Sequence, residues 1–162
     1  MGPVELRPVS AADADLLYRV YASTRAEEMK LVPWDEAAKQ SFLQMQLAAQ
    51  LAHYQAYFPA ATHDVILSEG IPVGRVYVDR RETEIRILDF VVLPERGRQG
   101  IGSHILQGLM KEAQAANKTL SIYVERSSPS LQWFQRRGFV EAGDNGFSDL
   151  MEWRPAEKQS IS

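Results

Sequence analysis

The residues best suited to chemistry lie in Phe90-Val-Val-Leu-Pro94-Glu-Arg-Gly-Arg-Gln-Gly100-Ile-Gly102-Ser-His, where an apolar run meets glycines, arginines and the start of a helical pattern. Glycines at 97, 100 and 102 let a backbone pass close to a ligand, and the unpaired amides and dipole of a helix N-terminus favour an anion. Arg96 and Arg98 add positive charge. This combination can hold a phosphate or pyrophosphate, and equally it can be a plain glycine-rich turn before a helix. A P-loop is excluded because no Gly-Lys-Ser/Thr follows. A dinucleotide fingerprint starting at Gly100 is excluded because Ile105 stands where a third glycine is needed.

Carboxylates and rings elsewhere supply further candidates. Asp89 interrupts the apolar run Ile87-Leu-Asp-Phe-Val-Val, where partial burial suits a general base, acting directly or through water, or a structural carboxylate at a bend. Glu125 closes a later apolar-alternating run and is a second candidate base, or a solvated strand-end acid. Arg25, Glu27 and Glu28 form a charged run between two helical patterns, which reads as a substrate-facing wall or as a solvated face. His53 and Tyr57 point away from the apolar stripe of the second helix and can line a substrate pocket or lie on open surface. The absence of cysteine excludes thiol nucleophiles, zinc ribbons, iron–sulfur ligation and redox pairs. His53, His63 and His104 are scattered, so no metal site is expected.

Periodicity gives the elements that must position these residues. Val4 to Val9 alternates as a short strand closed by Pro8, and Ser10-Ala-Ala-Asp13 has the form of a capping box with Asp in place of Glu. A helix carrying Leu16, Leu17, Val20 and Tyr21 on one face follows and ends near Lys30, ahead of Pro33. Asp35 caps a longer helix in which Leu43, Leu47, Leu51, Tyr54 and Phe58 recur at steps of three and four until Pro59. Val65, Leu67, the Glu69-Gly70 turn and the run from Val73 to Val78 form a hairpin. Glu82 to Leu93 is a third strand whose apolar phase changes around Leu88 and Asp89, which predicts a bulge or bend. If the strand splays there, the amides of Val91, Val92 and Leu93 are free for a ligand.

Beyond the glycine loop, Ile101, Ile105, Leu106, Leu109 and Ala113 mark a helix with Asn117 as its cap. Leu120, Ile122 and Val124 mark another strand, Ser128-Pro129 opens a short helix that Gly138 closes, and residues 139–142 and 147–153 are the final strands. The order βααβββαβαββ predicts an α+β fold, a mixed, largely antiparallel twisted sheet flanked by helices.

With 162 residues, 45% hydrophobic and 24% charged, the chain suits a single domain over 3–155 and a polar C-terminal tail over 156–162. A net charge of −3 argues against nucleic acid as a partner. The N-terminus lacks a signal-peptide pattern and no apolar run approaches about 18 residues, so a cytoplasmic protein without membrane attachment is expected.

Val92-Leu-Pro94 followed by Gly100-Ile-Gly102 resembles the acetyl-CoA loop of the GNAT superfamily of N-acetyltransferases, whose pattern is Gln/Arg-x-x-Gly-x-Gly/Ala after a strand ending in Val-x-Pro. Gly97 stands where that pattern has Gln or Arg. The stretch Val124-Glu125-Arg-Ser-Ser128-Pro-Ser-Leu-Gln-Trp-Phe134-Gln-Arg-Arg-Gly138-Phe139 is similar to the superfamily's Val-Glu-x-x-Asn-x-x-x-x-x-Tyr-x-x-x-Gly-Phe. Ser128 replaces the Asn, and Phe134 replaces the Tyr that many members use as general acid near the coenzyme sulfur.

The resemblance implies a GNAT-like acyl-CoA N-acyltransferase fold and direct transfer of acetyl from acetyl-CoA to a primary amine. It implies a coenzyme site made of Val91, Val92, Leu93, Arg96, Gly97, Arg98, Gln99, Gly100, Ile101, Gly102 and Ser103, with Ser128 and the Phe134 ring along the pantetheine. Asp89, Glu125 and Ser128 are then the candidate catalytic groups, and water, Ser128 or Tyr123 can protonate the leaving thiolate. Arg25, Glu28, His53 and Tyr57 are the candidate acceptor residues, for a small-molecule or peptide amine. The loss of the usual acid also fits a catalytically weak acyl-CoA-binding regulatory module, and a third reading is an interaction domain without ligand. A homodimer is compatible with this architecture, since terminal strands can exchange or pair.

Overall fold

The computed structural model describes residues 2–97 and 99–156. Its strands are β1 (Val4–Pro8), β2 (Thr62–Ser68), β3 (Ile71–Arg80), β4 (Glu84–Val92), β5 (Thr119–Glu125), β6 (Val140–Asp144) and β7 (Ser148–Trp153). Its helices are α1 (Ala14–Thr24), α2 (Ala26–Lys30), α3 (Glu36–Tyr57), α4 (Ile101–Ala116) and α5 (Ser130–Gln135). The strands form one seven-stranded sheet in the order β1-β2-β3-β4-β5-β7-β6. Only a crossover can join parallel neighbours, and α4 is the crossover between β4 and β5, which run parallel. The pairs β1–β2, β5–β7 and β6–β7 are antiparallel, giving the mostly antiparallel, helix-flanked α+β sheet expected.

The chain divides into two compact units. The first comprises Met1–Tyr77 and Phe90–Gly102. Here α1 buries two adjacent stripes, Leu16 and Val20 against Val65 and Leu93, and Leu17 and Tyr21 against Leu43 and Leu47 of α3. Asp13 accepts from the Ser10 amide at 2.8 Å and from both terminal nitrogens of Arg7 at 2.9 Å, and these hydrogen bonds hold its carboxyl below the usual carboxylate range. Asp35 caps α3 by accepting from the Ala38 amide.

The expected single helix ending near Lys30 breaks instead at Arg25, whose φ of −111° and ψ of 3° leave the helical region. Ser23 Oγ and Thr24 Oγ1 donate back to the carbonyls of Val20 and Tyr21, so two side chains compete with the backbone at the point where the helix stops. The element order therefore gains one helix. Val65 and Ile66 are both fully buried, so β2 is covered on both faces and does not alternate with solvent as a simple hairpin strand would. The Arg75 guanidinium is buried and donates to Gln50 Oε1, while His63 stacks on Tyr77 with ring centroids 4.3 Å apart. Burial, reinforced by the Arg75 charge, pushes the His63 imidazole down to about 4.

The second unit comprises Val78–Asp89 and Ser103–Ser162. Ile105, Leu106, Leu109 and Ala113 of α4 and Leu120, Ile122 and Val124 of β5 are buried, as their periods require. Asn117 ends α4 with φ 54°. Arg126 bridges Asp149 at 2.7 Å and Asp144 at 3.3 Å, tying β7 to β6, whose register shifts between Glu141 and Gly143. Except for Ala156, the polar tail lies outside the described residues.

Candidate active site

The parallel ladder of β4 with β5 runs from Glu84 opposite Thr119 to Ile87 opposite Ile122, and β4 continues as a strand to Val92. The apolar phase change at Leu88 and Asp89 takes the form of a change in burial. Ile85 and Ile87 are buried, whereas Leu88 to Val92, Asp89 included, are all half-buried. Of the three amides expected to be free, that of Leu93 is not, because it donates to the Val73 carbonyl at 2.8 Å. Successive amides along a strand point to opposite edges, so the Val92 N–H is directed away from β3. The Val91 side chain packs on the Val65–Leu93 cluster. A Cβ on Gly74 would collide with the Val91 carbonyl oxygen, so this glycine lets β3 approach β4 at that point.

Pro94–Arg96 then form a single 3-10 turn, with Arg96 N–H donating to Leu93 and Gly97 N–H to Pro94. Gly97 has φ −66° and ψ 161°, a conformation open to any residue, so Gly in place of the family's Gln or Arg is not a backbone requirement. Gly100 is different: its φ of 78° is in the left-handed region that favours glycine. Gln99 and Gly100 are exposed, and Ile101 buries its side chain as the first residue of α4, so the chain turns from solvent into a helix N-terminus here. Gly102 and Ser103, half-buried, complete its first turn. Arg98 lies outside the described residues. Arg96 is half-buried.

Glu125 is exposed at the end of β5, opposite Ser148. Ser128 Oγ accepts from the Ser130 amide at 3.1 Å and so serves the first turn of α5, the bland use of that hydroxyl. Tyr123 is exposed, with the Arg86 guanidinium 5.0 Å from its ring centroid. Arg86 and Ser121 in turn hydrogen-bond Glu84 Oε2. Burial pulls the Glu84 carboxyl upward, but these bonds outweigh it and hold the group below its ordinary value. Phe134 is only 4% exposed and packs edge-on against Phe139 at 5.2 Å, the ordinary packing of a short helix.

On the candidate acceptor residues the structure favours local pairing. Arg25 Nη1 meets Glu28 Oε1 at 3.1 Å and its guanidinium lies 5.5 Å from the Tyr21 ring centroid, while Glu27 pairs with Lys30 at 3.0 Å. His53 and Tyr57 do come together, with centroids 4.6 Å apart, but on the exposed side of α3, Tyr57 being 70% exposed; they do not form an enclosed lining. Sequence reasoning also missed Arg137. Its Nη2 donates to Ser103 Oγ at 2.8 Å and its Nη1 to the Trp133 carbonyl at 3.0 Å, a contact across 34 positions that no local pattern signals.

The exposed left-handed glycine followed by helix amides fits a pyrophosphate-bearing substrate. Among the described residues no group of His, Asp and Glu could hold a metal ion, and no helix is long and apolar enough to cross a membrane.

The family model for the acetyltransferase (GNAT) domain matches residues 22–160. No curated protein matches the chain in sequence. Among solved structures, the PaiA N-acetyltransferase of Thermoplasma acidophilum, in complex with coenzyme A, aligns with a TM-score of 0.68 at 18% identity, covering 94% of this chain and 99% of that one. An acetyltransferase of Thermus thermophilus aligns with a TM-score of 0.67 at 17% identity, covering 93% and 96%. The histone acetyltransferase HPA2 and related acetyltransferase of Corynebacterium glutamicum aligns with a TM-score of 0.65 at 21% identity, covering 96% and 97%. At these identities the likeness is one of fold.

Proposed function

Because the chain belongs to the GNAT acetyltransferase family, we propose that it transfers the acetyl group of acetyl-CoA directly to a primary amine of a small-molecule or peptide acceptor, without a metal. The observation that carries this reading is the start of α4, where exposed Gly100 at φ 78° delivers the chain into helix amides immediately after β4. In this reading residues 3–155 act as one catalytic domain. The amides around Gly100 and Gly102 hold the pyrophosphate, and the Val92 amide steadies the thioester carbonyl as it gains negative charge.

The neutral amine nitrogen attacks that carbonyl carbon, the C–N bond forms, and collapse of the tetrahedral species breaks the C–S bond. The proton lost by the amine passes to Asp89, directly or through water. Phe134 offers no proton, and none is required, since a thiol with a pKa of about 8.5 departs as thiolate and is protonated by solvent. The net charge of −3 favours a cationic amine as the arriving acceptor.

Titration with CoA should raise stability by about 2.7 kcal/mol at a hundred times its dissociation constant. Acetyl-CoA mixed with a panel of primary amines should then release thiol in step with acetylated product. Stabilisation by CoA without amine-dependent thiol release would favour the weak CoA-binding module, a reading that the buried Phe134 ring and the Ser128 hydroxyl's bond from the Ser130 amide support. No stabilisation by CoA would overturn both.

A further inference from the structure

Helix α3 is apolar on two faces. One packs Leu43 and Leu47 against α1. The other carries Ala38, Phe42, Met45, Ala49, Ala52 and Ala56 at alternating steps of four and three, the spacing that keeps side chains along one coiled-coil seam. Phe42 is half-buried, shared between the α1 cluster and the Trp34 ring, which it meets edge-on at 5.3 Å. The other five are exposed, Met45 to 62%. A surface helix ordinarily sets charge opposite its buried stripe, as α1 does with exposed Asp15 and Arg19. In α3 that charge is missing: residues 40–63 contain no Asp, Glu, Lys or Arg in a chain that is 24% charged.

The seam is self-complementary in size. Its large side chains stand at Phe42 and Met45, and beyond them come only alanines. A parallel pair of such helices would set Phe42 on Phe42 and Met45 on Met45 and leave alanine facing alanine. In an antiparallel pair, the register that faces Met45 with the partner's Ala49 also faces Phe42 with the partner's Ala52 and Ala38 with the partner's Ala56. All six positions are then used, and each large side chain enters the space over an alanine. Beside the seam this register sets Lys39 by the partner's Gln55, Gln46 by the partner's Ala48 and Ser41 by the partner's His53. No like charges meet, and Lys39 already pairs with Glu36 of its own helix. A face without charge fits a surface equally free of it, which a second copy of α3 supplies.

The 22 residues of α3 make a strip about 33 Å long and about 10 Å wide. Two such strips, widened by Trp34, come to the order of the ~1,000 Å² in total that a specific interface needs, so a micromolar dissociation constant is expected.

We propose that the outer face of α3 is the interface of a homodimer, in which two copies of this chain pair their α3 helices antiparallel about a two-fold axis level with Leu47. Such pairing is isologous and closed, so it stops at two copies. The proposal is independent of the acetyl-CoA reading.

Sedimentation equilibrium on the full chain from about 1 to 300 µM should follow a monomer–dimer equilibrium. Ala49→Glu brings like charges into the seam and should raise the dissociation constant at least about tenfold. Glutamate is a good helix former at an exposed position, so far-UV circular dichroism should be unchanged; Ala52→Lys is the second probe, with the same loss expected. Gln44→Glu adds the same charge at an exposed position of α3 off the seam and should leave the constant within about twofold. Because the chain has no cysteine, the variants Met45→Cys and Ala49→Cys can be mixed and treated with a thiol oxidant. The antiparallel register predicts a disulfide-linked dimer containing one of each, in excess over either variant linked to itself. A monomer at every concentration would overturn the proposal. So would a dimer that folded Ala49→Glu leaves intact, which would move the interface elsewhere, the terminal strands included. Equal weakening by Gln44→Glu, or self-linked dimers in excess, would overturn it as well.

Discussion

Two stretches of the chain handle charge in opposite ways. From Arg25 to Lys39 each helical acid has a cation one turn away, Glu28 with Arg25, Glu27 with Lys30 and Glu36 with Lys39. At the first turn of α4 and the end of α5, Ser103 holds Arg137 beside Arg136, and among the described residues no carboxylate answers either arginine. Pairs spaced one helical turn apart satisfy themselves and need no ligand. A cation pinned beside a helix N-terminus adds to the dipole and is satisfied only by an anion from outside. In a chain with net charge −3, a dense charged run is therefore a weaker sign of function than a sparse one left unbalanced.

The largest expected effect comes from placing an acid in the unbalanced stretch. Gly102→Asp sets a carboxylate in the first turn of α4, where it would face the substrate pyrophosphate. Like charges brought face to face cost several kcal/mol, so CoA affinity should fall on the order of a hundredfold or more while far-UV circular dichroism stays that of the wild type. Calorimetry showing unchanged affinity would remove the loop as the coenzyme site and with it the contrast between the two stretches.

Next in size is Asp89, half-buried in the part of β4 that follows the ladder with β5. Asp89→Asn keeps the shape and removes the base, so kcat should drop by about 10²–10⁴ with CoA affinity intact, and the acidic limb of the pH–rate profile should disappear. A variant with the wild-type profile would make Asp89 structural and move attention to Glu125.

A third treatment of charge, keeping a buried base neutral, predicts how the first unit responds to acid. His63 lies against Tyr77, with the Arg75 cation and the Asp13 carboxylate also acting on it, and its folded pKa is about 4 against an ordinary 6.5. Between those values the unfolded chain binds more protons than the native one, so stability rises with pH. This contribution is fully present above 6.5 and is lost as pH falls through 4. The Asp13 carboxyl, held low by Arg7, extends the loss at lower pH still. The wild-type urea midpoint should therefore decline from neutral pH to pH 4, and His63→Phe, which cannot titrate, should show a flatter dependence. Equal slopes would clear His63 of the effect.

What was legible in the sequence follows the same physics. The stripe of α4, from Ile101 to Ala113, is buried throughout because a single 3.6-residue period places it on one face. The turn into α4 was readable because the left-handed backbone at Gly100 favours a residue without a side chain. The helix break at Arg25 was not read, since Ser23 and Thr24 act through bonds to their own helix and leave no proline or glycine mark. Nor could periodicity say that Phe134 packs on Phe139 or that Arg137 reaches Ser103, because side-chain direction across a turn is set by tertiary packing. At the candidate acceptor residues charge and aromaticity were visible at 25–28 and 53–57, but the pairing of Arg25 with Glu28 and of His53 with Tyr57 was not.

The smallest effects should come from the balanced stretch, and they test it most directly. Glu27 and Lys30 are 88% and 69% exposed, so water screens their attraction and Glu27→Gln should change stability by less than about 0.5 kcal/mol, with no change in turnover. Glu28 is the sharper case, because its partner Arg25 is also held over Tyr21 and less exposed. If Glu28 serves only Arg25, Glu28→Gln leaves both CoA affinity and the KM for a cationic amine where they were. Should that KM rise severalfold while CoA affinity stays fixed, Glu28 would be meeting the acceptor's charge as well as Arg25. A locally paired acid would then be part of the site, and the division between balanced and unbalanced stretches would fail at that residue.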